Sequence, residues 1–129
     1  TWALPPPQVA AARAALRLVA EQPWRRWQLQ CNAARLRDRL GAAGISTAPS
    51  NTHIVPVVLG DNDRTMAICE ALLECGYYVQ GIRHPSVPHD SARLRITPMA
   101  THTYTEIDAL ADCLVDVIAQ HPAIPGPEN

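Results

Sequence analysis

Arg93 and Arg95 alternate with Leu94 and Ile96 in the segment ARLRIT (92–97). Successive side chains of an extended chain point to opposite faces, so both arginines share one face with Thr97, and Leu94 and Ile96 share the other. The aliphatic face belongs against helices. The arginine face looks out of the domain, towards solvent or towards something that covers it. A guanidinium fork matches the two oxygens of a carboxylate or phosphate, so the pattern admits a solvated surface or a small-anion site. Just upstream, RHPSVPHDS (83–91) is pinned by Pro85 and Pro88. Prolines restrict the unfolded chain, and a stiff loop costs little to hold in a binding geometry. Ser86 is thereby fixed at the mouth of the arginine strand, either as a turn residue or as a second contact to a ligand carboxylate.

The other chemistry in the chain is sparse. All eleven basic residues are arginine, so no lysine is present to form a Schiff base. His53, His84, His89, His102 and His121 show no metal-ligand spacing, and no metal site is expected. His53 and His102 abut regular elements, where a structural hydrogen bond is the expected role. Cys31, Cys69, Cys75 and Cys113 form no Cys-x-x-Cys pair. Three of them fall in helical patterns as small apolar residues, and Cys75 stands at a helix end. Phosphate-binding glycine motifs and the Gly-x-Ser-x-Gly elbow are missing. The run RLRDRL (35–40) reads as the wet face of a helix, with Asp38 among its arginines. A net charge of −1 offers no footprint for nucleic acid or an anionic membrane. No apolar run approaches the roughly 20 residues of a membrane span, and no signal peptide is visible. A cytoplasmic setting is expected.

The elements that position these residues follow from punctuation and periodicity. Pro5 to Pro7 open a helix that carries Val9, Leu16 and Val19 to Glu21, and Pro23 breaks it. A second helix runs from about Trp24 to Leu40 with Trp27, Cys31, Ala34, Leu36 and Leu40 as its apolar positions, and Gly41 and Gly44 stop it. NTHIVPVVLGD (51–61) is a strand whose Pro56 demands an edge or a bulge. Asp61 or Asn62 caps a helix to about Glu74 with Met66, Leu72 and Leu73 inward. YYVQGI (77–82) and ARLRIT (92–97) are two further strands, antiparallel across the proline loop. Thr103 and Glu106 form a capping box on a last helix to about Ala119, striped by Ile107, Leu110, Leu114, Val117 and Ile118. The fold class is therefore α+β: a small two-layer domain, a three-stranded mainly antiparallel sheet with helices on one face. Residues 1–122 form the domain, lead-in helix included, and 123–129 a flexible tail.

Four ordered motifs now resemble a known family. THIVPVVLGD (52–61), YYVQGIRHPSVP (77–88), ARLRITP (92–98) and ATHT (100–103) are similar to the C-terminal small domain of the α-oxoamine synthases, pyridoxal-phosphate enzymes of the aspartate-aminotransferase fold. TWALPPP (1–7) resembles the family's TTxLPP segment. The resemblance implies condensation of an amino acid with an acyl-CoA thioester and loss of carbon dioxide. It implies that Arg95 binds the amino-acid carboxylate and that Ser86, a serine where threonine is usual, touches substrate. It assigns Thr1 to the cofactor phosphate of a neighbouring subunit, with Trp2 replacing the family's second threonine. THIVPV, YVQ and RITP lean to 5-aminolevulinate synthase (glycine and succinyl-CoA), the reading preferred here. GIRHPSVP and ARLRIT lean to 8-amino-7-oxononanoate synthase (alanine and a pimeloyl thioester).

The missing lysine fits this resemblance, because the family's cofactor lysine lies in the large domain. The chain is then expected to be the small domain of a homodimeric enzyme, as a fragment, a proteolytic product or a truncated gene, and inactive alone. Pyridoxal 5'-phosphate is expected to be bound mainly by the large domain. Two other readings stand beside it: a non-catalytic carboxylate-binding or regulatory module, and a degenerate remnant with a scaffolding or dimer role.

Overall fold

The structure, a computed structural model, describes residues 5–47 and 49–123. Its elements are α1 (Pro6–Glu21), α2 (Trp24–Ala42), β1 (Val55–Gly60), α3 (Asn62–Glu74), β2 (Gln80–Ile82), β3 (Ala92–Ile96) and α4 (Tyr104–Gln120). Their ends are set by local chemistry. Asp61 caps α3, its Oδ1 accepting from the Arg64 N–H at 2.7 Å. Thr103 and Glu106 close the expected capping box on α4. Both α2 and α3 end in a glycine with positive φ, Gly44 at 78° and Gly76 at 89°. In each case the next amide reaches back to the last turn, Ile45 to the Leu40 carbonyl at 2.9 Å and Tyr77 to the Leu72 carbonyl at 2.8 Å.

The strands pair antiparallel in the order β1-β3-β2, so the arginine strand is the central one. Pro56, with no N–H to give, lies on the outer strand β1 as expected. A bulge between Val58 and Gly60 breaks that strand's register before Gly60 meets Ala92. The inner sheet face carries Val55, Val57, Leu94 and Ile96. It packs against Leu36 and Leu40 of α2, Ile68 and Leu72 of α3, and Ile107 and Leu114 of α4, all buried. At Gly81 a Cβ would stand 3.0 Å from the Cys69 Sγ; glycine there lets α3 lie directly on β2.

Several expectations are corrected. α1 buries no residue, and Leu16 and Val19 are exposed, because none of the other described elements covers that helix. The buried face of α2 is Asn32, Ala33, Leu36 and Leu40, and Trp27 is 65% exposed, lying before the helix reaches the core. Leu73 is exposed, since Ile68 and Leu72, four apart, already set the inward face of α3. In α4, Ala111 is buried where Leu110 and Ile118 are only partly so. The predicted strand 77–82 shortens to Gln80–Ile82, because Tyr77 is held in the turn that ends α3. RLRDRL is not merely a wet face. Arg35 forms a two-point pair with Asp108 at 2.7 and 2.6 Å, and Arg39 pairs with Asp112.

A candidate carboxylate site on the open sheet face

Antiparallel register places directly opposed residues on the same face. Arg95 therefore stands in a row between Pro56 of β1 and Gln80 of β2, and Arg93 in the next row between Val58 and Ile82. No described helix covers this side, and Arg95 is exposed while Leu94 and Ile96 beneath the sheet are buried. The two arginines differ. Arg93 is half-buried and donates from Nε to the Ser91 carbonyl at 2.9 Å. Arg95 makes no side-chain hydrogen bond or ion pair among the described residues. A fork with no carboxylate of its own, flanked by uncharged neighbours, is free to accept an anion from outside.

Arg95 borders a cleft of about 320 Å³ whose lining includes Tyr78, Gln80, Thr97, His102 and Leu110. The far wall is held by a buried amide. Asn32, fully buried on α2, donates from Nδ2 to the Met99 carbonyl at 2.8 Å and the His102 carbonyl at 2.9 Å. Its Oδ1 accepts from Gln28 Nε2 at 2.9 Å. His102 adds the structural hydrogen bond expected of it, Nδ1 accepting from the Met99 N–H at 3.2 Å. The segment that follows β3 is thus tied to α2.

Ser86 lies elsewhere. It is exposed, its N–H donates to the Arg83 carbonyl at 2.9 Å, and it does not line the Arg95 cleft. Its loop folds on itself, with the His84 and His89 rings stacked 3.9 Å apart and the His84 N–H donating to Asn62 Oδ1 at 3.3 Å. Thr1 lies outside the described residues. Gln80 and Tyr78 are cleft residues that sequence reasoning missed. Only the strand register brings Gln80 opposite Arg95, and the nine-residue stretch between these strands does not announce that register in the way a two-residue turn does.

Cysteines stay apart from this face. Cys69 is pushed up in pKa by burial beneath Gly81, and Cys113 is pushed up to about 11 by burial and by the neighbouring Cys75 thiol. Such thiols are poor nucleophiles at neutral pH.

Residues 2–114 match the family described as aminotransferase class I and II. The chain belongs to that family. Within it the chain falls in the α-oxoamine synthase branch, as the motifs implied. The 8-amino-7-oxononanoate synthase of Anaeromyxobacter dehalogenans is 41% identical over 125 residues, covering 97% of this chain and 32% of that enzyme. The enzyme of the same name from Xanthomonas oryzae pv. oryzae is 42% identical over 125 residues, covering 95% and 31%. Among solved structures, a serine palmitoyltransferase from S. paucimobilis with a bound PLP–myriocin aldimine superposes with a TM-score of 0.83 at 30% identity, covering 91% of this chain and 30% of that one. The chain thus spans about a third of the length of these relatives. These relatives carry the name of the second synthase weighed from the motifs, 8-amino-7-oxononanoate synthase, rather than that of the preferred 5-aminolevulinate synthase.

Proposed function

We propose that this chain is the C-terminal small domain of a pyridoxal-phosphate-dependent 8-amino-7-oxononanoate synthase, which joins alanine to a pimeloyl thioester with loss of carbon dioxide. The observation that carries this reading is the unpartnered Arg95 fork on the open sheet face, in a chain that is 41% identical to an enzyme of that name. Arg95 receives the amino-acid carboxylate. Two parallel N–H···O bonds fix the plane of that carboxylate as well as its position, and hence the direction of the bond that must break. Holding one reactant at a defined angle is an effect able to supply several kcal/mol of a barrier. Arg93, occupied by the Ser91 carbonyl, holds the loop end of the strand.

The residues of this chain do not fit a covalent cofactor site, because the chain has no lysine. When bound to the complete enzyme, pyridoxal 5'-phosphate supplies the electron sink, and its anchoring is proposed to fall mainly to the large domain. Thr1 is proposed to touch its phosphate from a neighbouring subunit, which makes the working enzyme a homodimer. Ser86 is proposed as a further substrate contact, its hydroxyl carried on the loop that leads into β3. The reaction is assigned to the cytoplasm; no described helix is long and apolar enough to cross a membrane. By itself the chain is expected to condense nothing.

Steady-state kinetics of the full-length protein test this reading. Arg95→Leu should lower kcat/KM for alanine by on the order of a hundredfold, with the KM for the acyl thioester unchanged. Wild-type use of alanine by that variant would remove Arg95 from the role.

A further inference from the structure

The register points to a second residue in the carboxylate subsite. We propose that Gln80 is the positioning residue for Arg95, holding the guanidinium fork in the orientation that receives a carboxylate. This inference rests on the reading of Arg95 as the clamp.

Three observations support it. Gln80 and Arg95 are cross-strand partners, so their Cβ atoms lie roughly 5 Å apart on one face. Both border the same cleft. The Gln80 amide is itself oriented: Nε2 donates to the Gly81 carbonyl at 3.2 Å, and Oε1 accepts from the Tyr78 hydroxyl at 3.1 Å. A carbonyl cannot donate, so the end of the amide that faces the Gly81 carbonyl must be the nitrogen. The oxygen then has a second lone pair, and the residue opposite it across the ladder is Arg95, whose fork makes no side-chain hydrogen bond among the described residues and is free to donate to it. On the opposite side of Arg95 stands Pro56, whose ring offers no acceptor. Gln80 is therefore the one cross-strand neighbour of Arg95 able to hold an N–H of the fork while leaving the remaining N–H groups for a ligand. It is also uncharged. A carboxylate at this position would pair with Arg95 itself, as Asp108 pairs with Arg35, and would compete with substrate.

Four variants of the full-length protein test the inference, with alanine and the acyl thioester each varied in turn. Gln80→Glu should raise the KM for alanine about tenfold or more by occupying the fork, leaving the acyl KM within about twofold. Gln80→Ala should raise it severalfold, and Gln80→Asn, which keeps the amide, should recover part of that loss. Arg95→Leu combined with Gln80→Glu should be no worse than Arg95→Leu alone, the non-additivity expected of residues acting as one unit. Because Gln80 is exposed, these changes leave the fold intact, and unchanged thermal melting is the control. If Arg95→Leu is impaired while Gln80→Glu and Gln80→Ala keep a wild-type KM for alanine, the inference is overturned and the clamp stands. If both substrates suffer equally from the Gln80 variants, it is likewise overturned. If Arg95→Leu itself behaves as wild type, the clamp reading has failed instead.

Discussion

The helix layer and the open sheet face carry the same residue type in opposite circumstances. On α2, Arg35 meets Asp108 of α4 through Nε at 2.7 Å and Nη2 at 2.6 Å, and its guanidinium lies 4.9 Å from the Tyr104 ring centre. Arg39, one turn on, reaches Asp112 and stands 4.0 Å from Asp108. The hydrogen bond from Arg35 holds the Asp108 carboxyl below the usual carboxylate range, against a smaller opposing effect of desolvation. On the sheet, the cross-strand neighbours of Arg93 and Arg95 are Val58, Ile82, Pro56 and Gln80, and none of them is acidic. The helix arginines join two elements of the domain to each other. Arg95 is exposed and makes no such pair among the described residues. An arginine's function is thus decided by what the adjoining element places opposite it, and both RLRDRL and RLR look alike until that is known.

The comparison can be broken first at its two arginines. Arg95→Leu should cost on the order of a hundredfold in alanine use while leaving thermal stability nearly unchanged, whereas Arg35→Leu should do the reverse. Kinetics and melting curves on the two variants check this; an Arg35 variant defective in alanine binding would erase the distinction. Next in size is Asn32, which links the layers by tying the segment after β3 to α2. Asn32→Ala should lose about 2 kcal/mol in urea unfolding, because a cavity opens and two carbonyls lose their donor. Smaller again is Gly81→Ala, which forces Cys69 or α3 to shift; overpacking of this kind costs about 1–2 kcal/mol. An unchanged melting temperature would show that α3 does not lie as closely on β2 as described.

The smallest effect concerns pH. Asp108 has a lowered carboxyl pKa when folded, so its pairing contributes stability above the ordinary carboxylate pKa of about 4. That contribution is lost as pH falls through the folded value. Asp108→Asn should therefore lose less melting temperature than the parent on going from neutral to acid pH. Parallel acid limbs for the two proteins would mean that the ion pair does not operate in solution.

Much of this architecture was legible in the chain. Asp61, the Thr103/Glu106 box and the glycines after α2 and α3 are local signals, and each marks an element end where the structure has one. The inward parity of Leu94 and Ile96, and hence the outward parity of Arg93 and Arg95, follows from strand alternation alone. What stayed hidden depends on partners distant in sequence. Arg35 and Asp108 are 73 residues apart, and Asn32 bonds carbonyls 67 and 70 residues away. Gln80 reaches its place through a register that loop length does not specify. Trp27 and Leu16 misled for the converse reason: a helical apolar pattern shows that a face wants burial, not that this part of the chain supplies it.

The central claim is that the Arg95 fork recognises a carboxylate, and equilibrium binding of alanine against alaninamide to the full-length holoenzyme tests it most directly. The parent protein should prefer the acid by on the order of a hundredfold, and Arg95→Leu should bind the two within a few-fold. Retention of the full preference by Arg95→Leu would contradict the account.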